Sequence, residues 1–220
     1  MKYTTLEHTV SSARLNKYLR ACNGDKKKAL LLYKYNVVVC QRFAGTLNMF
    51  EVVLRNKIHV HYAAQYADEE WIIHQTLPGL MLYNDRDLIN ETLNSAKKKH
   101  IYSSDRMVSS FTLGFWTYMF TKQEYRLGGK TLLNIFSKRA KGTTQKQVYC
   151  DLTAIREFRN RIAHHEPIVF DAKGDVSVEY MENVYGLMQK YLIYMGFQAE
   201  DALSFSEKPD AVILNIKKLI

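Results

Sequence analysis

Apolar residues recur at intervals of three and four along most of the chain, which is the period of a helix with one buried face. The pattern is longest over Lys26–Tyr66, which we expect to be helical, with Tyr35-Asn36 and Gly45 as the positions of any break. Few segments alternate apolar with polar residues, and the chain has only 10 glycines and 3 prolines. The pattern therefore predicts an all-α protein.

Capping residues mark several helix starts. Ser11 and Ser12 are typical N-caps for a helix that runs to about Ala21, and Asp25 suits the long helix. Further helices are expected over 85–100, 131–139, 144–165, 180–195 and 209–218. A loop with a short turn is expected at 68–79, a loop at 125–130 and a strand-like piece at 176–179. We expect a single α-helical domain over residues 1–220, in which 1–24 form an N-terminal lead-in helix and 197–220 a C-terminal helical appendage.

One segment, Phe111–Phe120, is far more aromatic than the rest of the chain. Aromatic residues at helical spacing usually belong to the core, and this is the main interpretation. A stacking platform for nucleic-acid bases is the alternative.

Charge and cysteine content narrow the class of protein. The net charge is +9 and the pI about 9.3, so the surface should attract polyanions, of which nucleic acid is the commonest. The 3 cysteines are far apart, odd in number and without metal-binding spacing, which favours free thiols in a reducing cytoplasm.

Residues 1–10 lack the apolar core of a signal peptide, and no run reaches the ~18 apolar residues of a membrane span. We expect a cytoplasmic protein with no membrane span.

The motifs of cofactor enzymes are missing from the sequence. Gly128-Gly129 lacks the spacing of a phosphate-binding loop, which excludes a nucleoside triphosphate site of that type. No HExxH motif, Ser-His-Asp order or paired-carboxylate site is visible. We therefore expect neither a metal nor another cofactor.

The most informative segment is 155–168, a helical pattern with three arginines, an asparagine and two adjacent histidines. The apolar stripe of this helix comprises Val148, Leu152, Ile155 and Ile162. Arg159 falls where the stripe should continue, so it is either a buried charge with a partner or the edge of an interface. Asn160 and His164 are four residues apart and share a face. Pro167 disfavours helical geometry before it, so the helix should end near His164 or His165.

Arg159, Asn160 and His164 together suit a phosphodiester. A guanidinium offers a planar fork of donors to phosphate and stabilises charge in the transition state. An imidazole can take a proton from an RNA 2′-hydroxyl or give one to the leaving 5′-oxygen. No metal is needed when RNA supplies its own nucleophile, and a homodimer would supply a second histidine. A histidine that merely caps helix carbonyls is the structural alternative.

Other basic and polar residues are candidates for supporting roles. Glu51 and Arg55 have the order of a favourable helical ion pair, which is either a surface pair of small effect or a support for the Arg159 site. The basic linker at 138–142 suits nucleic-acid contact or simple solvation. The residues assigned to RNA binding are Arg156, Arg161, Lys138, Arg139 and Lys141.

The string Arg159-Asn160-Arg161-Ile162-Ala163-His164-His165-Glu166-Pro167-Ile168 resembles the signature of Abi-like bacterial proteins of abortive infection (AbiD/AbiF type). Arg159-Asn160 followed by His164 has the R-x4-H form of HEPN domains. Residues 51–58, and more loosely 111–120, resemble further stretches of the family, so that the resemblance extends over about 37–195.

The resemblance implies a HEPN-like helical bundle with additional helices, frequent dimerisation, and metal-independent RNA cleavage in antiphage defence. It makes Arg159 and His164 the catalytic pair and Asn160 their polar partner. It implies supporting roles for His165, Glu51 and Arg55. Some HEPN proteins only bind RNA or a partner.

Three functions are therefore open. The first is a ribonuclease that acts as an abortive-infection toxin. The second is a non-catalytic RNA-binding module, which holds a small structured RNA or a partner protein in a defence or toxin–antitoxin system. The third is a target of nucleotidyl transfer, or a partner subunit, within a toxin–antitoxin pair.

Overall fold

The computed structural model describes residues 2–219 and confirms the all-α prediction. The helices are α1 (Tyr3–Val10), α2 (Ser12–Ala21), α3 (Lys26–Tyr66), α4 (Trp71–His74), α5 (Arg86–Lys98), α6 (Ser104–Ser110), α7 (Leu113–Tyr118), α8 (Lys122–Leu127), α9 (Gln145–Ala163), α10 (Glu179–Tyr194), α11 (Ala199–Leu203) and α12 (Asp210–Lys217). Short 3-10 turns lie at Tyr83–Asp85 and Leu132–Ile135. An isolated antiparallel bridge joins Phe170 to Val176, at the expected strand-like piece.

The chain divides into two compact units. Unit 1 comprises the residues up to Asn48, Glu157–Leu187, and the residues from Glu200 onward. Unit 2 comprises Met49–Arg156 and Met188–Ala199. Both α3 and α9 contribute residues to each unit, and the single domain expected over 1–220 stays a prediction.

The core of unit 1 is built around aromatic side chains. Phe43 in α3 packs edge-to-face on Phe158 in α9, with ring centroids 4.8 Å apart. Phe158 in turn meets Tyr180 of α10 at 5.3 Å, and Tyr18 of α2 meets Phe170 at 5.0 Å. Edge-to-face pairs of this kind stabilise a core beyond the area that they bury. The contacts of Phe158 therefore pack the end of α9 against α3 and α10 within unit 1.

The core of unit 2 includes the aromatic segment 111–120. Phe111, Phe115, Trp116 and Phe120 are all buried, which confirms the interpretation of this segment as core. The segment is not one helix, because Phe111 is extended between α6 and α7. Phe136 packs against both Phe120 and Tyr191, so α10 is tied to the same cluster.

Unit 2 also buries a carboxyl group without a partner. Glu124 of α8 is fully buried, and neither carboxyl oxygen has a hydrogen-bond partner among residues 2–219. Burial raises the pKa of Glu124 to about 7, and the nearby carboxyl of Asp85 adds to the effect. The Asp85 Oδ2 atom and the Tyr62 hydroxyl are also buried without a described partner. Such groups are costly to bury, so this region should be sensitive to ionisation.

The predicted long helix is confirmed, and it is unbroken. It continues through Asn36 and Gly45, the positions at which a break was considered. A Cβ at Gly45 would lie 2.9 Å from the Cβ of Ser206, so glycine permits a close approach inside unit 1. The fully buried stripe of α3 comprises Leu32, Val39, Phe43, Phe50, Leu54, Ile58 and Tyr62. This stripe, rather than local propensity, explains the continuity of the helix.

By length and composition, α3 is also apolar enough to cross a membrane. An 18-residue window within it has a mean hydropathy of 1.4, and 33% of that window is buried. Core helices of soluble proteins pass the same test. The expectation of a cytoplasmic protein without a membrane span therefore stays a prediction.

Two predicted helix caps are confirmed. The Ser11 side chain accepts a hydrogen bond from the Arg14 amide at the start of α2. The Asp25 Oδ1 atom accepts bonds from the Lys27 and Lys28 amides, at 2.8 and 3.0 Å, at the start of α3. These bonds satisfy amides that have no partner within their own helix.

Several predicted boundaries are wrong. The lead-in over 1–24 contains two helices, α1 and α2, where a single helix was expected. The appendage expected over 197–220 is helical, with α11 and α12, and its separation from the rest of the chain stays a prediction. Helix α8 occupies part of the loop expected at 125–130, and α6 was not expected. Helix α4 has only four residues and agrees with the short turn expected within the loop at 68–79. The helix expected over 131–139 is only a 3-10 turn, because the backbone of Phe136 leaves helical geometry at φ −95° and ψ 64°.

Candidate functional site

The segment 155–168 lies on α9 and the turn that follows it. The buried stripe of the helix is Val148, Leu152, Ile155 and Phe158. The predicted stripe is therefore wrong at its end, since Phe158 takes the buried position and Ile162 is only half-buried. A step of three from Ile155 to Phe158 follows the helical period as well as a step of four does. Arg159 consequently lies beside the buried stripe and not within it.

The three central candidates stand on the last turns of α9 in unit 1. Arg159 and Asn160 are half-buried, and His164 is exposed one residue after the helix ends at Ala163. The His164 amide still donates to the Asn160 carbonyl at 2.9 Å. Helical spacing therefore holds Asn160 and His164 on one side of the helix end, as predicted.

A Schellman-type turn closes the helix. The His165 amide donates to the Ile162 carbonyl at 3.0 Å, and the Glu166 amide donates to the Arg161 carbonyl at 2.8 Å. His165 has φ of 57°, in the left-handed region that usually belongs to glycine at this position. The predicted helix end near His164 and His165 is confirmed.

Three hydrogen bonds within unit 1 fix the backbone of this turn. An Arg14 Nη2–H donates to the His165 carbonyl at 2.6 Å, and an Arg161 Nη2–H donates to the Pro167 carbonyl at 2.6 Å. The Ile168 amide donates to the side-chain oxygen of Asn36 at 2.9 Å. The turn that carries the two histidines is thus held from α2, α3 and α9.

Arg161 is engaged by its own neighbours. In addition to the Pro167 bond, its Nε lies 3.6 Å from a Glu166 carboxylate oxygen. Its guanidinium also lies 5.5 Å from the centroid of the Tyr180 ring. Burial raises the pKa of Tyr180, and the positive charge of Arg161 opposes that rise. Arg161 therefore has a structural role, and its predicted role in RNA binding stays a prediction.

The other candidates lie in unit 2. Glu51, Arg55 and Arg156 are half-buried there. The Nε of Arg55 is buried, and no described residue accepts a hydrogen bond from it. Their predicted support of the Arg159 site stays a prediction.

One of the basic residues of the linker at 138–142 in unit 2 makes hydrogen bonds within the protein. An Arg139 Nη1–H donates to the carbonyls of Leu133 and Phe136, at 2.8 and 3.3 Å, and so closes the 3-10 turn. Lys138 and Lys141 are exposed. The two lysines are consequently the better candidates for contact with a polyanion.

The structure adds residues that sequence reasoning missed. Asn36 is 3% exposed in the structure. In the sequence it interrupts the apolar stripe of α3, and that interruption is the signal that could have marked it as a buried anchor. Arg14 gave no such signal, because its partner is a backbone carbonyl 151 positions away. Among residues 2–219, no group of three or more His, Cys, Asp and Glu residues could hold a metal ion.

The arrangement at the end of α9 combines an exposed imidazole with a half-buried guanidinium and an amide. The helix C-terminus carries a partial negative charge, which favours cationic side chains there. A guanidinium binds phosphate oxygens, and an imidazole transfers protons near neutral pH. The chemistry that this set supports is the binding of a phosphodiester and the transfer of a proton to or from it.

Comparison with known proteins adds no further constraint. No family model, no curated protein and no solved structure matches the chain.

Proposed function

We propose that the protein is a metal-independent ribonuclease of the HEPN type that acts as an antiphage abortive-infection toxin. The observation that carries the proposal is the end of α9, where His164 is exposed on a fixed turn within one helical turn of Asn160. The resemblance of 159–168 to the Abi-like signature supplies the link to defence. The net charge of +9 is consistent with an RNA substrate.

In the proposed reaction, His164 takes the proton from an RNA 2′-hydroxyl. The 2′-oxygen then attacks the adjacent phosphorus, and the bond from phosphorus to the 5′-oxygen breaks. Arg159 stabilises the charge that develops on the phosphoryl oxygens, with Asn160 as a further donor. The departing 5′-oxygen takes up a proton, so the products carry a 2′,3′-cyclic phosphate and a 5′-hydroxyl.

The test is to sequence RNA ends after induction of the wild type, Arg159→Ala and His164→Ala. We expect both substitutions to abolish cleavage and growth arrest, since each removes a group that acts on the reacting phosphate. His8→Ala, at an exposed histidine of α1 in the same unit, is the matched control and should leave both unchanged. Unaltered toxicity in both Arg159→Ala and His164→Ala would contradict the proposal.

A homodimer would supply a second histidine for the proton that the leaving group needs. We expect the wild type to sediment as a dimer and its specific cleavage rate to fall on dilution below the dissociation constant. A rate that is independent of concentration, with a monomer in solution, would contradict this part of the proposal.

The second candidate is a non-catalytic RNA-binding module, favoured by the exposed Lys138 and Lys141 together with the +9 charge. Such a protein would hold a small structured RNA or a partner protein within a defence system. Purified protein would then bind RNA with steep salt dependence and produce no cleaved ends. The end-sequencing experiment separates the two candidates, because only the nuclease creates new 5′-hydroxyl ends.

A further inference from the structure

Unit 2 contains a polar groove that the proposed reaction does not use. It has a volume of about 630 Å³, within the usual range for small-molecule sites. Its walls come from α3, the segment 101–103 and α6. The residues that matter to the argument are Arg55, Asn56, Val60, Ile101 and Arg106.

The charged residues of the groove are two arginines, Arg55 and Arg106, and one carboxylate, Asp105, so the arginines outnumber it. The buried Nε of Arg55 is a donor with no acceptor in the described chain, which is a costly state for a buried polar group. Arg106 is exposed, and no carboxylate of residues 2–219 lies within ion-pair distance of its guanidinium. Guanidinium groups bind phosphate by paired hydrogen bonds, so an anionic oxygen ligand would pair with the terminal nitrogens of both residues, while the Arg55 Nε stays closed to solvent.

Apolar surface stands beside the two charges. The side chains of Val60 and Ile101 are 64% and 43% exposed, although both residues are aliphatic. Asn56, between Arg55 and Val60 along α3, offers an amide with both donors and an acceptor. An apolar wall next to an amide and two guanidiniums matches a nucleotide, which has a flat base, polar base edges and a phosphate.

His59 is fixed in the wall of the groove. Its Nδ1 accepts a hydrogen bond from the Trp71 indole at 3.1 Å, so Nδ1 carries no proton and Nε2 does. The Nε2 atom lies 3.3 Å from a carboxylate oxygen of Glu69. His59 therefore shapes the wall, and the anion-binding donors are left to the arginines.

A second cleft continues from the first. It has a volume of about 310 Å³ and shares Ile101 and Arg106 with the larger groove. Its lining adds Lys99 and Ser95, a further cation and a hydroxyl. Successive phosphates of a nucleic-acid strand would meet cations in both clefts.

From these observations we infer that this groove binds a nucleotide unit through its phosphate, with Arg55 and Arg106 as the phosphate ligands. The ligand is either a free nucleotide or one unit of an RNA strand, since both present the same base and phosphate. The groove residues all belong to unit 2, and the binding of a nucleotide there can be tested without the proposed cleavage at Arg159 and His164.

The test is calorimetric titration of the full chain with AMP, with adenosine, and with the trinucleotide ApApA. We expect AMP or ApApA to bind and adenosine to bind at least about ten-fold more weakly, because the arginines need a phosphate. Titration is done in the His164→Ala background, so that RNA stays intact and failure of the proposed nuclease does not affect the result. Binding of AMP identifies a free nucleotide as sufficient, and binding of ApApA alone identifies RNA.

Substitution then assigns the phosphate ligands. Arg106→Ala should weaken binding about ten-fold or more, and Arg55→Lys should also weaken it, because lysine lacks the planar fork. Arg126→Ala, at an exposed arginine of α8 in the same unit, is the control and should bind as the parent does. Arg106 is exposed, so its variant should fold, which circular dichroism checks. Failure of both phosphate ligands to bind, or equal binding by Arg106→Ala, overturns the inference.

Discussion

At the scale of single residues, His165 occupies a backbone conformation that costs free energy. Its φ of 57° is where the helix end turns, and a side chain with a Cβ is disfavoured there. The position also carries one of the two adjacent histidines of the candidate site. Backbone strain at such a position is a reason to ask whether the imidazole is retained for function.

Replacing His165 separates the imidazole from the backbone. We expect His165→Gly to raise the free energy of unfolding by up to about 1 kcal/mol, because glycine adopts the left-handed region without a Cβ clash. His164→Gly is the matched control: His164 has no positive φ, so glycine should lower stability by about 0.5–1 kcal/mol. Urea unfolding measures both, and a loss of stability in His165→Gly would contradict the strain argument. RNA-end sequencing of His165→Gly then tests its supporting role directly.

Glu124 makes stability depend on pH. Its pKa is raised by burial from an ordinary 4.5 to about 7 in the folded protein, so folding favours the protonated form. Its contribution is therefore greatest below pH 4.5, falls as the pH rises to about 7, and is constant above that value. Glu124→Gln should remove this dependence, and the variant should gain on the order of 2 kcal/mol relative to the wild type between pH 4.5 and 8.

Urea unfolding of both proteins at pH 5 and pH 8 measures the effect of Glu124. The quantity of interest is the difference between variant and wild type, since other carboxyls act equally on both. The control is Glu91→Gln, at an exposed residue of α5, which should give the same difference at both pH values. A constant difference for Glu124→Gln would show that Glu124 does not titrate in this range.

At the scale of elements, Asn36 of α3 holds the segment that follows α9. Asn36→Ala leaves the buried Ile168 amide without its acceptor, which should cost about 1–3 kcal/mol. Hydrogen exchange should show loss of protection at the Ile168 amide before other core amides. Asn94→Ala, at an exposed residue of α5, should change stability by no more than about 0.5 kcal/mol. Unchanged protection at Ile168 in Asn36→Ala would rule out this anchoring role.

The long elements could be predicted from the sequence, and the short ones could not. α3, α5, α9 and α10 each carry enough periodic apolar positions to be recognised. α12 has only 8 residues and is recognised by Pro209 at its start. α1, α6, α8 and α11 have 8 residues or fewer, which is too short for the period to be distinct. The turn at 132–135 is closed by the Arg139 guanidinium, which donates to two carbonyls three and six residues earlier, and a side-chain contact of this kind leaves no mark on the apolar pattern.

The candidate site also has some features that could be predicted from the sequence and others that could not. The position of Asn160 and His164, and the helix end near His165, follow from spacing and from Pro167. The buried face at the end of α9 does not follow from the sequence. Phe158 and Arg159 are neighbours, and only the contacts of Phe158 with the rings of Phe43 and Tyr180 decide which of the two is buried. The anchors Arg14 and Asn36 lie far from the turn in sequence. The interrupted apolar stripe of α3 marks Asn36 as a buried polar residue, but no local pattern reveals the partner of either anchor.

At the scale of the whole molecule, the net charge of +9 predicts a strong dependence of RNA binding on salt. Lys138→Ala with Lys141→Ala should weaken binding of single-stranded RNA and reduce the slope of log K against log salt. The expected reduction is about 0.7 for each phosphate that the variant no longer neutralises. Filter binding at several salt concentrations measures the slope.

The control for the lysine pair removes the same charge elsewhere. Lys208→Ala with Lys218→Ala replaces two exposed lysines of unit 1. If the linker lysines bind RNA, the control pair should change the slope much less than the linker pair does. Equal slopes for the two double variants would show that RNA binding depends on the net charge of the protein and not on contacts of Lys138 and Lys141.

Two of the three hydrogen bonds that hold the candidate turn join residues 132 and 151 positions apart. A chain emerging from the ribosome cannot form both bonds until Ile168 has been added. Shorter nascent or prematurely terminated chains therefore lack the fixed histidine turn altogether. If the protein cleaves RNA, translation itself delays its toxicity, because the messenger must be read through the codon for Ile168 before the product can cut.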